Sequence, residues 1–258
     1  MWSALTFIGA LLVVLFPQAL RAQATGCQDF YPDRSVSSEE RARTLAEDGR
    51  ACVREGKPVQ SIALFSELIG LNPQNATAYL NRGNAYLQAG QFEWGMADLD
   101  QAIKLKPELT EAWYNRGTAL LAVHEYGRGI ADLDQAIRLQ PDLARAYCNR
   151  GLAHARQQEY DAAIADAGTG IDKDAALPLC YFVRGDSYMT KGEYQKAIGD
   201  LSTGLKLYPA NAEGLSRRGE AYERLGERDK ALADFKAALV LAPDSEATRA
   251  ALNRLTTP

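Results

Sequence analysis

The stretch EAWYNRGTAL, residues 111–120, reads as the start of a helix, yet it sets Asn115, Arg116 and Gly117 in succession. Each is a compromise in a helix interior. Glycine costs about 1 kcal/mol relative to alanine, and a polar pair interrupts the apolar stripe. The same trio stands at Asn81-Arg82-Gly83 and at Asn149-Arg150-Gly151, a spacing of 34 residues. Glycines extend the series through Gly49, Gly83, Gly117, Gly151, Gly185 and Gly219. Prolines keep the same interval at Pro73, Pro107, Pro141, Pro209 and Pro243, with Ala175 at the remaining place. Six units therefore tile residues 42–245 without insertion or deletion: 42–75, 76–109, 110–143, 144–177, 178–211 and 212–245. A strict period of this length is the signature of a solenoid.

Each unit has two halves. Tyr79, Gly83 and Tyr86 share one helical face, and Ala89-Gly90-Gln91 then makes a break. A second helix carries Met96, Leu99, Ala102 and Ile103 at spacings of three and four, a buried stripe. Pro107 ends it, because proline biases the residue before it away from helix. Neither helix buries its face alone, so successive hairpins must stack. With 47% apolar and 24% charged residues over 258 positions, the chain is ordinary for a globular protein. Its richness in Ala, Leu, Arg, Asp and Glu favours helix over strand, so the expected class is all-α. A net charge of −4 argues against a nucleic-acid binder, which normally shows a basic stripe.

The series Tyr181, Gly185, Tyr188, Gly192, Tyr194, Ala197 and Pro209 resembles the tetratricopeptide repeat family, and six in-phase copies extend the likeness over residues 42–245. Departures are Cys52 where tyrosine is usual in the first unit, and His154 with no proline in the fourth. The resemblance implies a right-handed α-solenoid of six helical hairpins. Residues 246–258, with a helical pattern over 247–255, would close it as a solvating cap.

Arginine recurs at Arg82, Arg116, Arg150, Arg184 and Arg218, and aspartate sixteen residues later at Asp98, Asp132, Asp166, Asp200 and Asp234. The first unit lacks both, having Asp48 and Leu64. Co-occurrence within one chain points to contact between the two helices of a hairpin and a structural role.

In tetratricopeptide arrays the first helices line a concave groove, and the place before the arginine points into it. The resemblance thus implies a column of Asn81, Asn115 and Asn149. An amide has both donor and acceptor, so such a column would hold the backbone of an extended peptide. Leu80, Leu87, Tyr114, Leu121, Leu152, Phe182 and Met189 would give the groove an apolar floor. Apolar surface of this kind often marks a partner site. Glu213, Arg217, Glu220, Glu223 and Arg224 would make a charged exit. The family also has a clamp for partner C-termini, and Asn84, Asn115 and Arg145 match three of its five places. Leu80 and Asn149 replace its other two, basic, residues, so most of the charge for a carboxylate is missing.

A 13-residue apolar run, 4–16, followed by Pro17 and Ala22-Gln23-Ala24, has the form of a secretory signal spanning 1–24. It is too short for a membrane span, which needs roughly 20 apolar residues. Its start lacks Lys and Arg. The mature chain is expected to be exported to a periplasm or secreted, without a span. A lipid anchor on Cys27 is the alternative, opposed by Arg21 close upstream and by no Leu or Val three places before the cysteine. Residues 25–41 form a polar extension in which Ser37 and Glu40 are spaced as a capping box.

The four cysteines suit an oxidising compartment and fit no metal spacing. Pairing Cys27 with Cys52 would staple the extension to the first unit. Pairing Cys148 with Cys180 would join two units, although Ala78, Ala112 and Ala146 show that Cys180 also fits as a small buried residue. No cofactor motif is present, and the two histidines, His124 and His154, accompany no nucleophile or phosphate loop. The expectation is a non-catalytic adaptor in the cell envelope, with a protein or peptide partner in the groove. The alternative is a structural, self-assembling repeat protein with no specific groove ligand.

Overall fold

The computed structural model describes Cys27 and residues 36–256. The expected signal 1–24 and most of the extension 25–41 lie outside the described residues. Those described form thirteen helices and no strand. Six hairpins follow one another: α1 (Ser38–Arg54) with α2 (Pro58–Leu71), α3 (Ala76–Gln88) with α4 (Phe92–Leu105), and α5 (Thr110–Ala122) with α6 (Tyr126–Leu139). They continue with α7 (Ala144–Arg156) and α8 (Tyr160–Lys173), α9 (Pro178–Thr190) and α10 (Tyr194–Leu207), and α11 (Ala212–Arg224) and α12 (Arg228–Leu241). The helix α13 (Glu246–Thr256) packs on α12 at the end. Each helix meets its hairpin partner and the next unit, which makes a right-handed α-solenoid.

Helix ends follow local chemistry. Ser37 caps α1 by accepting from the Glu40 N–H at 3.2 Å, so the first helix begins inside the stretch read as extension. Asn75 and Asn211 cap α3 and α11 by accepting from Ala78 and Gly214 N–H at 3.0 and 2.9 Å. Pro58 and Pro178 open α2 and α9, where a missing N–H costs nothing.

The repeated glycine is explained by the close approach of the two helices of a hairpin. A Cβ on Gly117 would stand 3.1 Å from the Gly129 carbonyl oxygen and 3.1 Å from Leu133 Cγ. The side chain over that glycine is Phe65, Leu99, Leu133, Leu201 or Phe235 in five units, each fully buried. The fourth unit has Ala167 there, the smallest side chain of the six at this place.

Every hairpin turns through one left-handed residue, at Gly56, Gly90, His124, Gln158, Gly192 and Gly226, with φ between 64° and 77°. An L side chain in that conformation costs about 1–2 kcal/mol. Gln158→Gly is therefore expected to raise stability by about 1 kcal/mol. Chemical denaturation checks it; a loss of stability would show that the Gln158 side chain holds the turn.

Two disulfides are present among the described residues. Cys27–Cys52, with Cα atoms 4.5 Å apart, ties Cys27 to α1. The Cys27 N–H also donates to Glu55 Oε1 at 2.9 Å. Cys148–Cys180, with Cα atoms 4.8 Å apart, joins α7 to α9. No helix of the described residues is long and apolar enough to cross a membrane.

Candidate functional site

The five arginines of the repeat face the aspartates sixteen residues on. Arg82, Arg116, Arg150, Arg184 and Arg218 each donate through Nε and Nη2 to both oxygens of Asp98, Asp132, Asp166, Asp200 and Asp234, at 2.6–2.8 Å. These side chains are largely buried, and the aspartate in each pair holds the arginine's pKa above its usual range. The third guanidinium nitrogen reaches back to the preceding unit: Arg82 to Ser66 (3.1 Å), Arg116 to Asp100 (2.6 Å), Arg150 to Asp134 (2.6 Å) and Arg218 to Ser202 (3.1 Å). In those four both forks of the guanidinium are occupied by intramolecular partners, whereas Arg184 has, among the described residues, only the pairing with Asp200. The arginines thus set hairpin register and, in four units, unit register.

The asparagines are treated unequally. Asn81 is half-buried and makes no side-chain hydrogen bond among the described residues. Asn115 donates from Nδ2 to Asn84 Oδ1 on the preceding unit at 2.8 Å. Asn149 departs from the expected column: it is 7% exposed, and its Nδ2 donates to Tyr114 Oη at 3.1 Å and Thr118 Oγ1 at 3.0 Å. It serves as a strut between α5 and α7, because two hydroxyls of the previous unit lie within reach of its amide. Arg145 lies over the Tyr114 ring, 4.6 Å from its centre, covering the same junction.

Two supposed floor residues are core instead. Leu121 is 9% exposed and seated on Gly129, where a Cβ would stand 2.3 Å from Leu121 Cδ1. Leu80 is 6% exposed and packs with Leu99 and Ile103. Phe182 is partly buried, its ring filling space left by Gly204 and Gly214. In the sixth unit Glu223 is not a free exit charge, since Arg254 of α13 donates to both its oxygens at 2.6–2.8 Å.

A cleft of about 360 Å³ opens between α3 and α5, lined by Asn84, Leu87, Phe92, Asn115, Thr118, Ala119 and Ala122. The Asn84–Asn115 bond occupies one donor group and one acceptor. It leaves Asn84 Nδ2 and Asn115 Oδ1, a donor and an acceptor, beside an apolar wall. Sequence reasoning missed Thr118 and Phe92. A readable signal existed: Asn84, Thr118, Leu152, Asp186 and Glu220 occupy one place of the repeat and differ in every unit, whereas the core places barely change.

Further along the same face, Asp186 Oδ1 is buried without a hydrogen-bond partner. Arg217 Nε stands 3.8 Å away. Burial raises the Asp186 carboxyl to about 6, with Arg217 and Arg156 pulling down and Glu213 and Glu220 pushing up. A carboxyl with a folded value above its unfolded one favours the fold at low pH. That contribution is complete below the unfolded value near 3.8 and is lost as pH rises through about 6. Because the side chain is 38% exposed, solvent screening reduces the effect. Asp186→Asn is expected to gain roughly 1 kcal/mol at neutral pH and nothing at pH 4. Melting temperatures of both proteins across this range check it; a pH-independent gap would contradict it.

This architecture is that of a helical-repeat scaffold, with a face built from successive first helices. A model of the family described as tetratricopeptide repeat matches residues 114–177 and 182–246, and one described as TPR repeat matches 49–90 and 83–123. The chain belongs to the tetratricopeptide repeat family. Among solved structures it is similar to PilW, described as a widely conserved type IV pilus biogenesis factor, at 20% identity and a TM-score of 0.71, over 85% of this chain and 98% of that one. It is similar to Pseudomonas aeruginosa PilF at 16% identity and a TM-score of 0.76, over 84% and 99%. YrrB, described as a TPR protein with an unusual peptide-binding site, shares 19% identity with a TM-score of 0.59, over 73% and 97%. These likenesses concern the fold. No curated protein sequence matches the chain.

Proposed function

We propose that this protein is a non-catalytic adaptor of the cell envelope that grips an extended peptide segment of a partner protein along its first-helix face. The observation that carries this reading is the cleft between α3 and α5, where Asn84 and Asn115 keep a donor and an acceptor beside Leu87 and Phe92. Two amides so placed suit a peptide backbone whatever its side chains, and the apolar wall suits one hydrophobic side chain. Cys27–Cys52 supports an oxidising compartment, in keeping with the signal expected over residues 1–24. That YrrB is described with a peptide-binding site supports the reading by analogy.

The test begins with a displayed library of random 12-residue peptides selected on the purified protein. The tightest enriched peptide is then titrated against the Asn84→Ala/Asn115→Ala variant. Loss of two hydrogen bonds, each worth about 1 kcal/mol, corresponds to about 10–30-fold weaker binding. Circular dichroism should be unchanged. Equal affinity for both proteins would remove the cleft from the binding site.

A further inference from the structure

The fourth unit collects departures that occur together nowhere else among the described units. Ala167 stands where the other units have Leu or Phe. Its turn passes through Gln158 at φ 65°. Ala175 replaces the proline between units. At the junction with the fifth unit, the residue sixteen before Arg184 is Gly168, which has no side chain to take the rung supplied elsewhere by Ser66, Asp100, Asp134 and Ser202. A Cβ on Gly168 would lie 3.6 Å from Arg184 Nη1, so a side chain would fit there. At this same junction α7 and α9 are joined by Cys148–Cys180. The bridge has its own clearance: a Cβ on Gly170 would stand 2.8 Å from both sulfurs, where α4, α6 and α12 have Ala102, Ala136 and Ala238.

In a repeat array each unit is held by its own packing and its two neighbours. Unit four has the smallest side chain over its glycine and lacks the arginine rung on its far side, and a unit so placed opens locally before the rest. We propose that oxidation of Cys148 and Cys180 is the step that completes the groove: it latches unit four, and without it α7 and α8 open. The groove depends on that latch through α7, whose Asn149 donates to Thr118, a wall of the α3–α5 cleft, and whose Arg145 covers Tyr114. In so far as it concerns capture, the proposal rests on the peptide-groove reading above.

The chemistry is thiol–disulfide exchange with a disulfide oxidant. One cysteine thiolate attacks the oxidant's disulfide, and its first sulfur leaves as a thiol. The second cysteine then displaces the remaining sulfur. Two protons and two electrons pass from the cysteines to the oxidant, which ends as a dithiol. Both cysteines are buried in the closed form, at 1% and 0% exposure. The exchange therefore takes place in the open unit, and closure protects the product.

Hydrogen exchange by mass spectrometry on the full chain tests the latch without any peptide. The variant is Cys180→Ala, which leaves Cys27–Cys52 intact and supplies the residue found at that place as Ala78, Ala112 and Ala146. Amides of α7 and α8 should exchange at least about tenfold faster than in the oxidised parent, with α3 and α4 changed less than about twofold. Adding Gly168→Asp, which offers Arg184 the missing rung, should return α7 and α8 most of the way. Unchanged exchange in Cys180→Ala would overturn the latch, as would two free thiols in protein purified from an oxidising compartment. For the groove, the peptide enriched on the parent should bind Cys180→Ala several-fold more weakly and the rescued variant normally. Equal binding with faster exchange would overturn the coupling to capture. If the parent enriches no peptide, the groove reading fails instead, and the exchange experiment still decides the latch.

Discussion

Leu133→Ala is expected to lower stability by about 3–5 kcal/mol, the largest loss from any single change considered. Leu133 is fully buried and lies on Gly117, the glycine of the recurring trio. The glycine lets α6 approach α5, and the leucine fills the space that remains. Truncation removes its transfer free energy and leaves a hole that two backbones already in contact cannot close. Urea denaturation followed by circular dichroism measures the loss, which in a repeat array should also broaden the transition as unit three opens early. A loss below about 1 kcal/mol would mean that the hairpins are not held by this side chain.

The second large effect concerns Arg116. Arg116→Met keeps most of the apolar stem but leaves Asp132, whose side chain is 8% exposed, without its bidentate partner. The expected loss is about 2–3 kcal/mol, mainly the penalty of an uncompensated carboxylate rather than the worth of the pair. Replacing both, as Arg116→Met/Asp132→Leu, should therefore recover much of it. Asp100→Ala should cost under about 1 kcal/mol, because that partner is 60% exposed. If the double variant were as unstable as the sum of the two singles, the pair would not be coupled and the ladder would carry no register.

Much of this architecture was legible because a repeat states its own alignment. The 34-residue interval, the glycines and the prolines gave hairpins, and the shared absence of Arg and Asp from the first unit pointed to their contact before any coordinates. What stayed hidden depends on neighbouring units at once. Asn149 looks the same as Asn115 within its unit; it is buried because Tyr114 and Thr118 of the previous unit sit within reach. Leu121 reads as a surface leucine until Gly129 opens the notch it fills. Glu223 is taken by Arg254, whose position depends on how α13 folds back over the last hairpin. His124 and Gln158 break the glycine rule at the turns, and no pattern in their own units distinguishes them from ordinary surface residues.

The proposed groove changes accordingly: Asn149 leaves the column of three amides because it is buried, and the proposal centres on the pair Asn84 and Asn115 with their apolar wall. Its most direct test is a crystal structure of the protein with the enriched peptide bound. The account predicts the peptide main chain between α3 and α5, accepting from Asn84 Nδ2 and donating to Asn115 Oδ1, with one apolar side chain against Leu87 and Phe92. A peptide seated on the second-helix face, with the α3–α5 cleft empty, would contradict it.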